Sequence, residues 1–340
     1  MTDPIALARR LVDIPSVSGE EAEVARCVAS HLTHLGYRVE LFDAAPGRPN
    51  VLATGDQPAR IVLSTHLDTV PPHIPARIAD GVLYGRGACD AKGIVAAQIA
   101  AAERLRAEGM TEIGLLFVVD EEMGSLGARA ANAHSLARHC RWLIDGEPTD
   151  NKLARGSKGS LRLTLRTDGV MAHSAYPEQG RSAISALLDV LADVRRCAWP
   201  ADPLLGETTV NIGVIAGGTR PNVIAGEARA DLQIRLVTDP APVQRLLEQA
   251  VGRRARIEYV TAVSPVRLAT VPGFETCIVR FTTDIPHLTN WGTPLLLGPG
   301  SILDAHSDHE RLSEAALTAG TEAYVRLVRA LAARIGEAER

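Results

Sequence analysis

The sequence has 340 residues, of which 46% are hydrophobic and 22% are charged, and its formal net charge is −4. This composition is typical of a globular chain that buries a sizeable core, and the length predicts about two domains. A weakly acidic chain offers no electrostatic footprint for nucleic acid or an anionic membrane. It also holds no run of about 18 uncharged apolar residues that would predict a membrane span.

The N-terminal segment and the cysteines predict a cytoplasmic protein. Charged residues interrupt the opening stretch MTDPIALARRLVDIP, so the sequence predicts no secretory signal. The five cysteines are scattered along the chain and lack C-x-x-C spacing. This pattern favours reduced thiols over a disulfide framework.

Helix and strand signals alternate along the first part of the chain. Pro4 is placed to begin a helix, and Ser18 with Glu21 matches a capping box for a second helix that would end at Gly36. The segments that follow predict, in order, strands RVELF, NVLAT and RIVLST, helix KGIVAAQIAAAERLRAEG, strand IGLLFVV, a helix near 125–138 and strand RWLIDG. This alternation predicts an α/β domain with a mixed, mostly parallel sheet covered by helices.

The pattern changes near residue 155. The segments there predict strand GSLRLTLRT, helix RSAISALLDVLADVRRC, strands TTVNIGVIAGG and EARADLQIRLV, helix APVQRLLEQAV and strand ARIEYV. This β-α-β-β-α-β order is typical of the ferredoxin-like arrangement. From about residue 263 the chain resembles its first part again. We therefore predict a domain split between residues 1–154 and 263–340, with a smaller α+β domain of residues 155–262 inserted into it.

Five short segments concentrate acids and histidines at the ends of predicted strands or in loops. They are THLDTV (His66, Asp68), GRGACDAKG (Asp90), VVDEEMG (Asp120, Glu121, Glu122), IDGEPT (Asp145, Glu147) and GPGSILDAHSDHE (His306, Asp308, Glu310). Sites in open α/β sheets form at the carboxyl ends of the strands. Taken singly, each segment is more often a solvated loop or a charged turn. GRGACD also lacks the third glycine of a dinucleotide fingerprint, and the chain has no G-x-S-x-G elbow.

Taken together and in this order, the five segments resemble those of the M20 family of metallopeptidases and amidohydrolases, which includes acetylornithine deacetylase and succinyl-diaminopimelate desuccinylase. The resemblance implies a split metal-binding catalytic domain and an inserted lid and dimerisation domain. It also implies two divalent metal ions, zinc or alternatively cobalt, held by five ligands: His66, Asp90, Glu122, Glu147 and His306. Imidazole and carboxylate groups suit zinc, and a shared carboxylate, here Asp90, suits two ions about 3.5–4 Å apart.

The resemblance assigns further roles beyond the metal ligands. Glu121 would be the general base, and Asp68 would hold the ring of His66. His173, in MAHSAYP, would come from the partner subunit of a homodimer and polarise the scissile carbonyl, although a histidine on an exposed turn is the alternative. Asn222 and Arg235 would contact the carboxylate of the substrate, and Arg235 could equally be a surface strand residue.

The function implied is hydrolysis of the amide bond of a small N-acyl-L-amino acid such as N-acetylornithine, with water activated between the metals. Glu147 in GEPT favours this deacylase branch. A dipeptidase or carboxypeptidase of the same family, acting on a short peptide, is the alternative, and a non-catalytic metal- or ligand-binding protein is a further one. Ala172, Ala225 and a short stretch at 263–283 depart from the family pattern near the substrate, so they leave the substrate open.

Overall fold

The structure is a computed structural model that describes residues 2–338. The chain divides into two compact units. Unit 1 comprises Met1–Arg155, Leu268–Cys277 and Thr283–Arg340, and unit 2 comprises Gly156–Arg267 and Ile278–Thr282. Unit 2 is therefore built from one long insertion and one short segment that follows later in the chain.

The described part of the chain contains seven α-helices and three 3₁₀-helices. The α-helices are α1 (Pro4–Val12), α2 (Ala22–His34), α3 (Lys92–Ala107), α4 (Leu126–Asn132), α5 (Ala183–Arg196), α6 (Pro240–Val251) and α7 (Glu314–Ala338). The 3₁₀-helices are Ser135–His139, Pro177–Gln179 and Ile285–His287. Among residues 2–338, no helix combines the length and the apolar character that a bilayer crossing requires.

The strands are numbered in chain order. They are β1 (Arg38–Ala45), β2 (Arg48–Thr54), β3 (Ile61–His66), β4 (Arg77–Ala79), β5 (Val82–Tyr84), β6 (Ile113–Val118), β7 (Trp142–Asp145), β8 (Leu153–Ser157), β9 (Gly159–Asp168), β10 (Ala201–Asp202), β11 (Gly206–Glu207), β12 (Thr209–Gly217), β13 (Glu227–Leu236), β14 (Arg256–Val263), β15 (Val266–Arg267), β16 (Thr276–Val279), β17 (Thr293–Leu296) and β18 (Arg311–Ser313).

The main sheet of unit 1 has six strands in the order β1-β2-β6-β3-β7-β17. β6, β3, β7 and β17 are parallel neighbours, and β1 and β2 add an antiparallel edge. Every residue of β3 is buried: Ile61 and Leu63 pack into one apolar cluster, and Val62 packs into another. Both faces of the sheet are therefore covered, as a largely parallel sheet requires. The predicted α/β fold with a mixed, mostly parallel sheet is confirmed.

The predicted capping box is wrong because tertiary partners compete for its two side chains. α2 begins at Ala22, and Glu21 occupies the cap position without a side-chain cap bond. The Ser18 hydroxyl instead donates to Oδ2 of Asp68, at 2.6 Å. The Glu21 carboxylate accepts from the main-chain N–H of Gly19 and pairs with Arg48. Both residues of the apparent capping motif therefore serve contacts outside the helix.

Unit 2 contains a four-stranded antiparallel sheet in the order β12-β13-β9-β14. In chain order its elements run β9, α5, β12, β13, α6 and β14, which is the ferredoxin-like sequence of elements. Leu161, Leu163 and Leu165 alternate along β9 and pack with Leu187 of α5 and Leu247 of α6. One face of the sheet is therefore covered by helices, and the polar residues of β9 lie on the other face.

Candidate metal centre

The carboxyl ends of three neighbouring parallel strands place most of the acidic segments. β3 ends at His66, Glu121 and Glu122 follow β6, and β7 ends at Asp145, two residues before Glu147. Because parallel strands end at the same edge of a sheet, these side chains are brought to one place although they are far apart in sequence. The arrangement follows from the strand order β6-β3-β7.

Asp90 lies between two histidines. Its Oδ1 is 2.9 Å from Nε2 of His66, and its Oδ2 is 3.3 Å from Nε2 of His306. Nε2 of His306 is also 3.0 Å from Oε1 of Glu122. The side chain of Asp90 is 6% exposed and that of His66 is 1% exposed, whereas the side chain of His306 is 49% exposed. The cluster is therefore open to solvent on the His306 side.

Two groups of side chains in this cluster have the spacing of a metal site. The first group is His66, Asp90 and Glu122, and the second is His66, Glu121 and Glu147. In each group one ligand atom from every residue lies within 4.8 Å of the others. Nitrogen and carboxylate oxygen at this spacing form the donor set that zinc and similar divalent ions take. The residues present therefore fit a divalent cation.

The ring of His66 supports the same conclusion. Nε2 faces Asp90, and Nδ1 lies 3.0 Å from the main-chain oxygen of Asp68, so both ring nitrogens face acceptors. Although burial lowers the pKa of His66, its contacts with Asp68 and Asp90 raise it well above the usual value of a histidine. A cation at Nε2 would replace one of the two ring protons and leave the Nδ1–H bond in place.

Burial lowers the pKa of a histidine, but it raises the pKa of the glutamates in this cluster. Burial raises the pKa of Glu121 and of Glu147 well above the usual value of a glutamate, and it raises the pKa of Glu122. Hydrogen bonds that His306 donates to the carboxylates of Asp90 and Glu122 raise the pKa of His306 to about 10. Such closely packed carboxyl groups compete for protons unless a positive charge is placed among them. The electrostatics therefore favour cations at this site.

Asp68 has a broader set of contacts than the sequence predicted. Its carboxylate oxygen Oδ1 is 3.6 Å from Nδ1 of His66, which is farther than the main-chain oxygen of the same residue. The carboxylate accepts from the main-chain N–H of Glu121 at 3.0 Å and of Glu122 at 3.2 Å, and from the Ser18 hydroxyl. It therefore fixes the turn that carries both glutamates, while its main-chain oxygen orients the imidazole.

Sequence reasoning missed a buried ionic network behind this turn. Arg48 donates to the carboxylate of Glu21, and its Nη2 lies 2.7 Å from Oδ1 of Asp120. These partners are 27 and 72 residues away in sequence, and a single arginine at the start of β2 carries no local signal. Asp284 was also missed as an ionisable group near the site. Burial raises its pKa to about 7.

The three remaining predicted residues belong to unit 2. His173 and Asn222 are exposed and lie together, since Ser174 N–H donates to the main-chain oxygen of Asn222 at 3.0 Å. Nδ1 of His173 accepts from the main-chain N–H of Ala175 at 3.1 Å. Arg235, on β13, donates from Nη1 to the hydroxyl of Thr282 at 3.2 Å.

Comparison with known proteins places the chain in a family of hydrolases. The profile described as Peptidase family M20/M25/M40 matches residues 62–330, which is more than half of the chain. The chain therefore belongs to this family, and the predicted family membership is confirmed. An α/β catalytic fold and a candidate metal site agree with that membership.

Individual relatives are named for peptidase activity. A Peptidase M20 domain-containing protein of Schizosaccharomyces pombe is 37% identical over 335 residues, covering 95% of this chain and 84% of the relative. A probable carboxypeptidase of Aspergillus niger is 37% identical over 374 residues, covering 97% and 90%. The crystal structure of an M20 family metallo-carboxypeptidase from Sulfolobus solfataricus has a TM-score of 0.79 at 17% identity, covering 97% of this chain and 99% of that one. The Sulfolobus solfataricus structure shows the shared fold, and the two sequence relatives are named as peptidases rather than as N-acyl deacylases.

Proposed function

We propose that this chain is a metal-dependent carboxypeptidase or dipeptidase that hydrolyses a peptide bond of a short peptide. The observation that carries the proposal is the cluster around Asp90, in which two imidazoles and four carboxylates meet at the ends of three parallel strands. The name of the Aspergillus niger relative, which is 37% identical over nearly the whole chain, supports peptide substrates.

In this proposal five side chains hold two divalent ions. His66 and Glu147 would hold the first, Glu122 and His306 would hold the second, and Asp90 would contribute to both. Three carboxylates offset three of the four positive charges, so the site keeps a net positive charge. Two such ions, when bound, would lower the pKa of a water molecule and stabilise the negative charge that develops on the substrate oxygen.

Glu121 is the general base in this mechanism. Its side chain lies within the ligand-atom group of His66 and Glu147, and its main-chain N–H is held by Asp68. Burial raises the pKa of Glu121 well above the usual value of a glutamate, and a raised pKa makes its carboxylate a stronger proton acceptor. The Glu121 carboxylate would take a proton from the attacking water and later deliver it to the nitrogen of the leaving amine.

Residues of unit 2 would bind the substrate. Because Nδ1 of His173 accepts a main-chain hydrogen bond, its neutral ring carries hydrogen at Nε2. That N–H can donate to the carbonyl oxygen of the scissile bond. Arg235 and Asn222 would receive the substrate carboxylate, since a guanidinium matches a carboxylate with two parallel hydrogen bonds.

A substrate panel separates this proposal from the deacylase reading. Purified protein with added zinc or cobalt should hydrolyse free or N-blocked dipeptides, as measured by release of the C-terminal amino acid. N-acetyl and N-succinyl amino acids should be cleaved more slowly. Cleavage of the N-acyl amino acids alone would contradict the peptidase proposal and restore the deacylase one, which the glutamate in GEPT, Glu147, supports.

We also propose a homodimer through unit 2, in which His173 serves the partner's site. β12 is an edge strand of its sheet, and its Val214 and Ile215 are 45% and 53% exposed. An exposed, apolar edge strand is a surface on which another chain can pair. Pairing of two such edges about a twofold axis would give a closed dimer.

Subunit mixing tests the dimer proposal. His173→Ala and Glu121→Gln should each be nearly inactive alone. After co-expression or exchange of subunits, a mixed dimer would contain one complete site, which should restore about a quarter of wild-type activity in a random mixture. Light scattering should give the mass of a dimer. A monomeric mass, or no recovery after verified exchange, would contradict a role for His173 in the partner's site.

A further inference from the structure

Glu310 is a buried carboxylate that makes an unusual set of contacts with one loop. Its side chain is fully buried, and its Oε1 accepts from the main-chain N–H groups of Gly87 at 2.9 Å and of Cys89 and Asp90 at 3.2 Å. Its Oε2 pairs with Nη1 of the buried Arg86 at 2.7 Å. One side chain therefore holds the main chain of residues 87–90, the segment that ends in Asp90, and the side chain of Arg86.

The contacts also reach the segment that carries His306. Nη1 of Arg86 donates to the main-chain oxygen of Ser307 at 3.1 Å, directly beside His306. The main-chain N–H of Gly85 donates to the main-chain oxygen of Glu310 at 3.1 Å, which extends the antiparallel pairing of β5 with β18. The Arg86–Glu310 pair thus joins the two segments that place Asp90 and His306.

We propose that Glu310 is a positioning residue that sets the distance between Asp90 and His306 and thereby the affinity of the second metal ion. This inference rests on the proposed function. Asp90 Oδ2 and His306 Nε2 are 3.3 Å apart, and neither segment is a strand of the main sheet at that point. Their relative position therefore depends on the short β5–β18 pairing and on side-chain contacts such as those of Glu310.

The ligands of the first ion are held in a different way. His66 is the last residue of β3, and Glu147 closely follows β7. Gly146 N–H donates to the main-chain oxygen of Ser64 at 2.7 Å, and the Thr65 hydroxyl donates to the main-chain oxygen of Gly146 at 2.8 Å. These contacts do not involve Glu310. Loss of Glu310 should therefore lower the affinity for the second ion much more than the affinity for the first.

Glu310→Gln tests the inference. A carboxylate is an acceptor only, whereas glutamine would place an N–H donor against a donor of Arg86 or of the main chain and leave the buried guanidinium without its counter-charge. We expect the dissociation constant of the second zinc ion to rise about 10- to 100-fold, as for other residues that orient metal ligands, with little change for the first. Competition with a zinc indicator on metal-free protein measures both constants.

Three further variants make the result specific. Glu108→Gln removes an exposed carboxylate that pairs with Arg329, and it should leave both constants unchanged. Leu331→Ala shortens a fully buried side chain of α7, so it lowers the thermal midpoint without touching the segments at issue. Glu310→Asp keeps the charge on a shorter side chain, and it should lower the affinity for the second ion by a smaller factor. This variant provides the test if the glutamine variant does not fold.

The outcomes of these measurements either support or overturn the positioning role of Glu310. A selective loss of the second ion in a folded Glu310 variant, absent in Leu331→Ala, supports the inference. Wild-type affinity for both ions in folded Glu310 variants overturns the inference and leaves the proposed function intact. The same conclusion follows if both ions bind more weakly to an equal extent and Leu331→Ala reproduces that effect. If the wild-type chain itself binds fewer than two ions, the proposed function fails and this inference fails with it.

Discussion

Replacement of Glu121 by glutamine should remove most of the activity and leave the metal content unchanged. Glutamine has nearly the same shape and keeps the main-chain hydrogen bond to Asp68, but it cannot accept a proton from water. General base catalysis contributes about 100- to 10,000-fold, so we expect kcat to fall by about that factor. Turnover of the best dipeptide of the panel and elemental analysis of the same sample measure the two properties.

The control for this variant is Glu20→Gln, because Glu20 is an exposed glutamate away from the cluster. It should behave as wild type in both measurements. Full activity of Glu121→Gln would contradict the role of the base. Loss of metal together with activity would instead show that Glu121 is a metal ligand. Its position in one group with His66 and Glu147 is compatible with that role.

Asp90→Asn should have the largest effect, since it should release both ions. The amide keeps the size of the side chain, but it removes the negative charge and one of the two oxygens that face His66 and His306. Metal ions supply several kcal/mol of transition-state stabilisation, so we expect kcat/KM to fall at least about 1000-fold. Elemental analysis after dialysis should give less than one ion for each chain.

The matched control is Asp56→Asn, which changes an exposed aspartate that pairs with Arg38 at the surface. It should retain both ions and full activity. An Asp90→Asn protein that still holds two ions after dialysis would rule out the shared ligand. An intact circular dichroism spectrum for Asp90→Asn would show that metal loss does not follow from unfolding.

Most of the fold was predicted from the spacing of apolar residues, because burial of one or both faces of an element sets how often apolar residues recur along it. The runs RIVLST and IGLLFVV became β3 and β6, and both are buried along their whole length. Since these strands are parallel neighbours, knowledge of their ends was enough to place His66 near Glu121 and Glu122. The alternating pattern of GSLRLTLRT likewise became β9, with one apolar face and one polar face.

The sequence did not predict which side chains bond to a distant residue instead of to the nearby helix end. Ser18 and Glu21 match a capping box, yet Ser18 bonds to Asp68, 50 residues away, and Glu21 bonds to Arg48. Both distant partners are charged, and a buried charge needs a partner more strongly than a helix end needs its cap. The helix expected near 125–138 was also too long, because it ends at Asn132 and a separate 3₁₀-helix follows.

The substrate class was the least accessible property. Glu147 favoured an N-acyl deacylase, whereas the names of relatives favour a carboxypeptidase. Either activity requires the hydrolysis of an amide bond, so the proposed metal ligands and the proposed base would serve both. The difference lies in the residues that bind the rest of the substrate, and Asn222 and Arg235 stay predictions in that respect.

Anomalous diffraction from crystals grown with zinc would show whether two ions share Asp90. We expect two anomalous peaks in each chain, one beside His66 and Glu147 and the other beside Glu122 and His306. Both peaks should lie within coordination distance of the Asp90 carboxylate, about 2.0–2.2 Å. A single peak, or two peaks of which only one contacts Asp90, would rule out a pair of ions that shares Asp90.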